Sequence, residues 1–582
     1  MLSRRISTSH TLSAALLGTL STFCLPPAAL AQIDPGAFER QNQLLEQQQR
    51  ERLREDQERA LRALPPPGGT DLRQVQPQVQ TPVLDASCRD IREVRVVGDT
   101  RALSDALRQQ VQAEYGGRCL GVSEIEAVLA AITKSYIESG YITTRAYLAA
   151  QDLRSGVLEI TVVEGTLERM ELQQSGRNWP KPLLGLAFPV RPGELLNLRD
   201  LEQGIDQLNS LGSNNATLDI QPGSEHGQSV VVVKNQARRP IHLFTSADNL
   251  GQPSTGKTSG SATVTLDGVL GLNELLAITR RQSVPRHDGH HSEATALRAL
   301  LPIGYTTLSY DVSDSSYVNT LTLPSGMPLV AEGRTLGHSL GADRVLFRDQ
   351  ASRVSLSARL SSQRTRSWLG GEFLGVGSRT LSTLDLGAAA VTQMGGGIAN
   401  ARIGYARGLT AFGALRDAAN LPRDLPHAQF SKVTLDLGYN RGFLLGQQAL
   451  QWSSQFSGQN AFDTLYGSQQ MLIGGYGSVR GALHNSLAGD NGYYWRNELS
   501  LPWRAPAGGP AMAGRVYLGY DFGSVSNRAA GVPSGSMSGV TLGTTLQWGT
   551  LSLDIFASRT LRAPAPMKPE VVRAGVRLSH SL

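Results

Sequence analysis

Four short stretches of this chain carry residue types that can do chemistry. The first is Gly474-Gly475-Tyr476-Gly477-Ser478-Val479-Arg480-Gly481, a single cation set among glycines. A guanidinium there can form a two-pronged pair with a carboxylate, and the glycines let it approach closely. The second, Gly251-Gln252-Pro253-Ser254-Thr255-Gly256-Lys257-Thr258, fits the Walker A pattern, which cradles phosphate only where the loop opens a helix. Ser259 to Leu266 alternates instead like a strand, so no nucleotide site is expected. The third groups His287, His290 and His291 with Asp288, all types that bind metals. A glycine-containing loop fixes no coordination geometry, so it reads as solvated loop and no metal is expected. The fourth is the pair Cys88 and Cys119. Neither a G-x-S-x-G elbow nor an H-E-x-x-H helix occurs, so the chain is not expected to be an enzyme or to need a cofactor.

The residues that position these groups begin with an export signal. Arg4 and Arg5, an apolar run from Leu12 to Leu25, and Ala29-Leu30-Ala31 predict a signal peptide over 1–31. Cys24 leaves with it. Two cysteines then remain in an oxidising compartment, which predicts a Cys88–Cys119 disulfide, the alternative being two free buried thiols. No other apolar run approaches the ~18 residues of a membrane helix. Residence in a membrane therefore requires a closed barrel, in which every backbone group is paired. Charged residues make up only 18% and there are 62 glycines, which suits a turn-rich β protein. The net charge of +6 comes from scattered residues with no aromatic-interleaved basic patch, so nucleic acid is not an expected partner.

Residues 35–64 predict a helix within an N-terminal segment 32–64, stopped by Pro65-Pro66-Pro67. Phe38, Leu44, Leu45, Leu53 and Leu61 are too sparse for an apolar stripe, and charges balance between Glu39 and Arg62. Two readings stand level: a solvated helix or arm, or a helix lying in a polar lumen of about its own length. Residues 65–87, with Pro77 and Pro82, read as an extended linker. Two α/β units of similar length follow, over 88–166 and 167–239.

From 240 to 582 the period becomes two. Val354, Leu356, Ala358 and Leu360 share one face and Ser355, Ser357 and Arg359 the other; Leu551, Leu553, Ile555 and Ala557 oppose Ser552, Asp554 and Ser558 in the same way. Candidate strands begin near 241, 260, 275, 293, 305, 334, 353, 380, 397, 429, 447, 493, 514, 538, 550 and 571. A sandwich would struggle to bury so many in one core, whereas a membrane barrel turns the apolar set to lipid and the polar set inward. The fold class is mainly β: a 16-stranded transmembrane β-barrel behind an N-terminal helix and two α/β domains. Its even count puts both barrel ends on one side. Alternation turns Arg515, Tyr517, Gly519 and Asp521 inward and Val516, Leu518, Tyr520 and Phe522 to lipid, with Arg480 in the loop after the eleventh strand.

Ile473-Gly474-Gly475-Tyr476, Ser478-Val479-Arg480-Gly481, Gly489-Asp490-Asn491-Gly492 and Tyr494-Trp495-Arg496-Asn497-Glu498-Leu499 together resemble the TpsB transporters of two-partner secretion. Thr143 to Leu148 with Gln151-Asp152-Leu153, and Leu196 to Glu202 with Gln221-Pro222-Gly223, resemble that family's two polypeptide-transport-associated (POTRA) domains. The resemblance implies that the loop folds back into the barrel, that Gly475, Val479 and Gly481 form its motif, and that Arg480 pairs with the carboxylate of Gly519-Tyr520-Asp521-Phe522-Gly523. Family members usually carry Tyr or Phe after Val-Arg-Gly; Ala482 here implies weaker packing of the loop tip. It further implies a monomeric translocase of the Gram-negative outer membrane, in contact with lipid and inserted by the barrel-assembly machinery. Such a translocase would plug its pore with the helix and export a large exoprotein, without ATP, after its POTRA domains capture the exoprotein's N-terminal secretion domain. An insertase of the same superfamily and a barrel-linked enzyme are the alternatives.

Overall fold

The computed structural model describes residues 35–61, 88–98, 101, 102, 104–322, 326–505 and 512–582. The expected signal peptide and linker lie outside the described residues. The N-terminal helix α1 spans Pro35–Leu61. Its 27 residues extend about 40 Å at ~1.5 Å each.

In the first α/β unit, strand Val157–Val163 lies between Glu93–Gly98 and Arg145–Leu148, and helices Asp105–Tyr115 and Val122–Glu138 cover the sheet. Ser104 caps the first helix by accepting from Leu107 N–H, and Glu124 reaches back to Gly121 N–H at 2.8 Å at the start of the second. The side chains at helical and strand spacing, Val128, Ile132, Leu158 and Ile160 among them, meet in one fully buried core. Cys88 and Cys119 are disulfide-bonded with Cα atoms 5.3 Å apart, beside the small ladder that pairs Asp90 with Cys119. The second unit repeats the plan: strand Gln228–Ala237 sits between Thr166–Gly176 and Ala216–Pro222, covered by helix Leu198–Asn209.

The barrel strands are β1 (Ile241–Asp248), β2 (Ser259–Asp267), β3 (Leu275–Ser283), β4 (His290–Ile303), β5 (Thr306–Thr322) and β6 (Pro328–Arg348). Then come β7 (Ser352–Leu369), β8 (Arg379–Met394), β9 (Gly397–Leu409), β10 (Ser431–Leu445) and β11 (Gln448–Ala461). The last five are β12 (Asn491–Arg504), β13 (Met512–Ser526), β14 (Gly535–Trp548), β15 (Leu551–Arg562) and β16 (Arg573–Ser581). All pair antiparallel with their neighbours, and β16 returns to β1 from Arg577 opposite Asp248 to Ser581 opposite Phe244. The wall is a closed sixteen-stranded barrel, with the two-residue strand Glu372–Phe373 as a small outgrowth of β7. The largest shift from expectation is at β6, which starts at Pro328 rather than near 334.

Alternation settles the faces. Leu356, Leu518 and Ile555 are exposed on the outer wall, while Thr335, Thr365 and Asp521 are buried inside it. Tight turns such as Gly395-Gly396, with φ of 59° and 75°, close one end; the chain needs glycine there because both residues are left-handed. Longer loops close the other end, as in outer-membrane barrels.

The second α/β unit is docked on the tight-turn end. Asn273 exchanges two 2.8 Å hydrogen bonds with the backbone of Leu183, and Gly304 N–H donates to Leu186 at 2.7 Å. Tyr305 donates to Asp200 at 2.6 Å, and Arg348 reaches Gln203 at 2.8 Å and Asp206 at 2.9 Å.

Candidate functional site

The segment between β11 and β12 does not stay outside. It forms a small antiparallel ladder, Met471–Gly474 against Ser486–Gly489, and its tip lies inside the barrel. Gly474 and Gly475, with φ of 96° and 81°, turn the chain at the base of the tip. Gly475 N–H then donates to Ala482 C=O at 2.7 Å, and Ser478 Oγ to Gly474 C=O at 2.9 Å, so the tip is a closed, internally bonded turn.

That turn aims Arg480 at the wall. Arg480 is 3% exposed and Asp521 on β13 is fully buried. Arg480 Nε donates to Asp521 Oδ2 at 2.8 Å and Nη2 to Oδ1 at 2.8 Å, while Nη1 donates to Glu498 Oε2 at 2.5 Å. Glu498 sits on the adjacent strand β12, opposite Gly519, and its other oxygen accepts from Arg515. Two cations thus share two carboxylates inside the wall, and removing one member leaves a buried charge uncompensated. The sequence does not single out Glu498 as a partner of Arg480. Parity alone marks it: it shares the inward face with Tyr494 and Arg496, and β12 neighbours the strand of Asp521.

The glycines on both sides of this contact are required by space. A Cβ on Gly519 would lie 2.4 Å from Arg480 Nη2. One on Gly481 would lie 2.5 Å from the Cα of Gly539 on β14 and 2.6 Å from Arg559 C=O, so loop backbone lies directly on barrel backbone. Thr560 Oγ1 donates to Gly481 C=O at 2.7 Å at the same place. Val479 is fully buried with Ile473, Leu487, Val525 and Met537. Ala482 is fully buried in that cluster too, and its neighbour Leu483 packs on Leu250, Tyr517 and Phe556.

Further anchors hold the loop. Asp490, fully buried, accepts from Leu465 N–H at 2.9 Å, Arg528 N–H at 2.9 Å and Gln470 Nε2 at 3.0 Å. Glu570, in the last outer loop, accepts from the N–H groups of His484 and Asn485 at 2.9 and 2.6 Å.

Helix α1 occupies the lumen, which decides between the two readings of that segment. Gln47 donates to Gln470 C=O at 2.5 Å, Gln48 to Ser486 at 2.6 Å, and Arg50 to Gln363 at 2.6 Å and Ser468 C=O at 3.0 Å. Asp56 pairs with Arg281 of β3 at 2.6 Å, and Arg281 also meets Asp248 of β1 at 3.1 Å. The main apolar seat is Leu53 on Ala294 and Ala296. Helix and loop meet at Tyr476, whose ring lies under Arg59 of α1 at 5.6 Å and Arg577 of β16 at 4.8 Å. Beside them lies a cavity of about 550 Å³ lined mainly by polar side chains, Glu55, Arg496 and Asp554 included.

The remaining motifs take other places. Gly251 to Thr258 links β1 to β2, and a strand, not a helix, follows it, so the phosphate-cradling geometry is not formed. His287, in the turn before β4, stacks at 4.8 Å on His290, the first residue of that strand, and His291 Nδ1 is 2.8 Å from His287 C=O. Among the described residues no group of three or more His, Cys, Asp or Glu side chains is placed to hold a metal.

A closed barrel with a polar lumen, an inward loop and two α/β units, the second docked on its tight-turn rim, defines a POTRA-bearing outer-membrane barrel. The chain belongs to the family described as haemolysin secretion/activation protein ShlB/FhaC/HecB, whose model matches residues 227–546, so it is a TpsB-type transporter of the outer membrane. A ShlB-type POTRA domain matches 90–165 and a further POTRA domain 166–222; POTRA domains are periplasmic in this family. The outer membrane transporter CdiB of Dickeya dadantii is 32% identical over 517 residues, covering 88% of this chain and 90% of the relative. The hemolysin transporter protein ShlB of Serratia marcescens is 31% identical over 442 residues, 76% of this chain and 77% of its own. The solved structure of CdiB from Escherichia coli matches with a TM-score of 0.81 at 30% identity, covering 95% of this chain and 100% of that one.

Proposed function

We propose that this transporter secretes one large partner exoprotein, an adhesin, haemolysin or contact-dependent toxin, through its own lumen and without ATP. The observation that carries this reading is how α1 is held. Its buried contacts are mainly amide and charge hydrogen bonds to backbone carbonyls and side chains that line the wall and loop, with little apolar seat. A lumen that satisfies one polar segment in this way can satisfy another, and the helix can leave without exposing an apolar face to water. The names of the relatives, outer membrane transporter and hemolysin transporter, support the same reading.

On the periplasmic side, the first POTRA sheet ends in the edge strand Arg145–Leu148, with Tyr147 and Leu148 exposed on it. An unpaired edge bearing apolar side chains can take an added strand, and the partner's N-terminal secretion domain is proposed to bind in this mode. Folding of the partner outside drives its passage. The chain works as a monomer, inserted by the barrel-assembly machinery, and performs no enzymatic step.

The test is secretion of candidate partners from cells with and without this chain. Partner in the medium only when the chain is present supports the reading. Equal secretion in both, or loss of other barrels from the membrane when the chain is absent, overturns it in favour of no transport role or of an insertase.

A further inference from the structure

The outer wall of the barrel carries a charge arrangement that transport does not use. Thr335 on β6 and Thr365 on β7 meet inside the wall at 3.1 Å, and Thr365 also reaches Glu46 of the lumen helix at 3.4 Å. Arg334, Arg364 and Arg366 therefore point outward, and all three are exposed. Arg334 stands directly opposite Arg366 in the ladder, and Arg364 opposite Leu336 is their diagonal neighbour. Directly opposed side chains have Cβ atoms ~4.5–5.5 Å apart, and like charges there repel. Asp314 on β5 holds Arg334 with two hydrogen bonds at 3.0 and 2.6 Å. Glu332 lies one rung further out, opposite Trp368. Among the described residues neither Arg364 nor Arg366 has an ion pair or hydrogen bond, so their charge is left for something outside the chain.

The level of this cluster identifies that something. Below it the same outer face exposes Leu336, Leu340 and Leu356, with His338 opposite Ser362 one rung under the arginines and Arg344 opposite Leu356 near the lower edge. From Val354 to Arg364 the chain climbs ten residues, which at ~3.3 Å per residue and ~40° of tilt is about 25 Å along the barrel axis, the height of the apolar band. Arg364 and Arg366 thus stand at the outer edge of the hydrocarbon, on the end opposite the POTRA domains. Acyl chains against the leucines and phosphate at the guanidiniums is the arrangement of a membrane lipid with its anionic head outward.

We propose that Arg364 and Arg366, with Arg334 positioned by Asp314, bind the phosphate groups of an outer-leaflet glycolipid of the lipid A type. The site lies outside the lumen and does not depend on what passes through it.

Native mass spectrometry of the purified full chain, titrated with bisphosphorylated lipid A, tests this against Arg364→Gln/Arg366→Gln and against dephosphorylated lipid A. The unaltered chain retains phosphorylated lipid at least about tenfold more tightly than either comparison. Heat-modifiable electrophoretic mobility reports whether the variant barrel is folded; if it is not, the two single variants are measured in its place. Equal retention by chain and variant overturns the site. Equal retention of phosphorylated and dephosphorylated lipid overturns phosphate recognition. Tighter capture of phosphatidylglycerol than of lipid A overturns the assignment to the outer leaflet.

Discussion

Arg480 grips Asp521 three times: Nε and Nη2 reach the two carboxylate oxygens at 2.8 Å each, and the backbone N–H of the same arginine reaches Oδ2 at 3.1 Å. Asp521 therefore holds the loop by its main chain as well as by its side chain. A lysine, with one point charge and no fork, cannot reproduce the contact.

Arg480→Ala is expected to reduce secretion of the partner while the barrel stays folded in the membrane, because Asp521 loses its buried counter-charge at a cost of ~3–5 kcal/mol in loop docking. Arg480→Lys should recover only part of the loss. The double variant Arg480→Ala/Asp521→Ala should cost less than the two single changes added together, since neither charge is then left alone. Partner in the medium per folded barrel is the measurement; normal secretion by Arg480→Ala removes the role assigned to the pair.

Gly481→Val and Gly539→Val should each displace the loop tip, since a Cβ at either glycine falls 2.5 Å from the Cα of the other. The penalty is that of forced overpacking, ~1–3 kcal/mol. Protease accessibility of the 474–485 tip should rise in both variants and stay low in a substitution at an outward position such as Leu518→Val.

Deleting residues 35–61 should raise single-channel conductance, and Asp56→Ala should raise it partway by removing one of the two carboxylates on Arg281. Unchanged conductance on deletion means that the helix does not obstruct the pore.

Breaking the bond between Cys88 and Cys119 as Cys88→Ser/Cys119→Ser should destabilise the first POTRA domain by ~3–4 kcal/mol through the freed chain entropy. Unfolding of that domain is followed by hydrogen exchange, with the second domain as internal control. Non-reducing electrophoresis checks the bond itself.

The dock between the second POTRA domain and the barrel should weaken as pH rises. Burial raises the carboxyl of Asp200 above its ordinary range, and Glu194 adds to this, against the opposing hydrogen bond from Tyr305. A raised folded-state value means that the docked form gains most below the free carboxylate's ordinary pKa and loses that gain as pH passes the raised one. Asp200→Asn keeps a neutral partner for Tyr305, so the protection of 198–209 against hydrogen exchange, relative to the intrinsic rate at each pH, should then lose its pH dependence.

Period-two alternation was legible along the whole barrel. It places Asp521 inward and Leu518 outward without reference to any contact, and the sixteen strands follow the turn and loop residues between them. The short α/β units were readable for the same reason, since helix and strand spacing in 88–239 is local. Glu498 was equally inward by parity, yet nothing local says that it, and not Tyr494 or Arg496 on the same face, lies beside Arg480. Ala482 shows a different limit: the resemblance implies weaker packing there than with the usual ring, and only the fold shows that the alanine is fully buried beside Val479 and Ile473.

What the amino-acid sequence determined by itself was therefore what depends on neighbours in the chain: strand, helix, which face is wet, and a glycine-flanked arginine in a loop after β11. The tertiary structure alone decided that α1 lies in the lumen, that Glu498 joins Asp521 on the guanidinium, and that Gly481 touches Gly539. Those contacts depend on how the strands are staggered on closing the barrel and on which segment enters the space inside. Both are set by pairing between residues far apart in the chain, and a sparse polar helix carries no apolar stripe to announce where it binds.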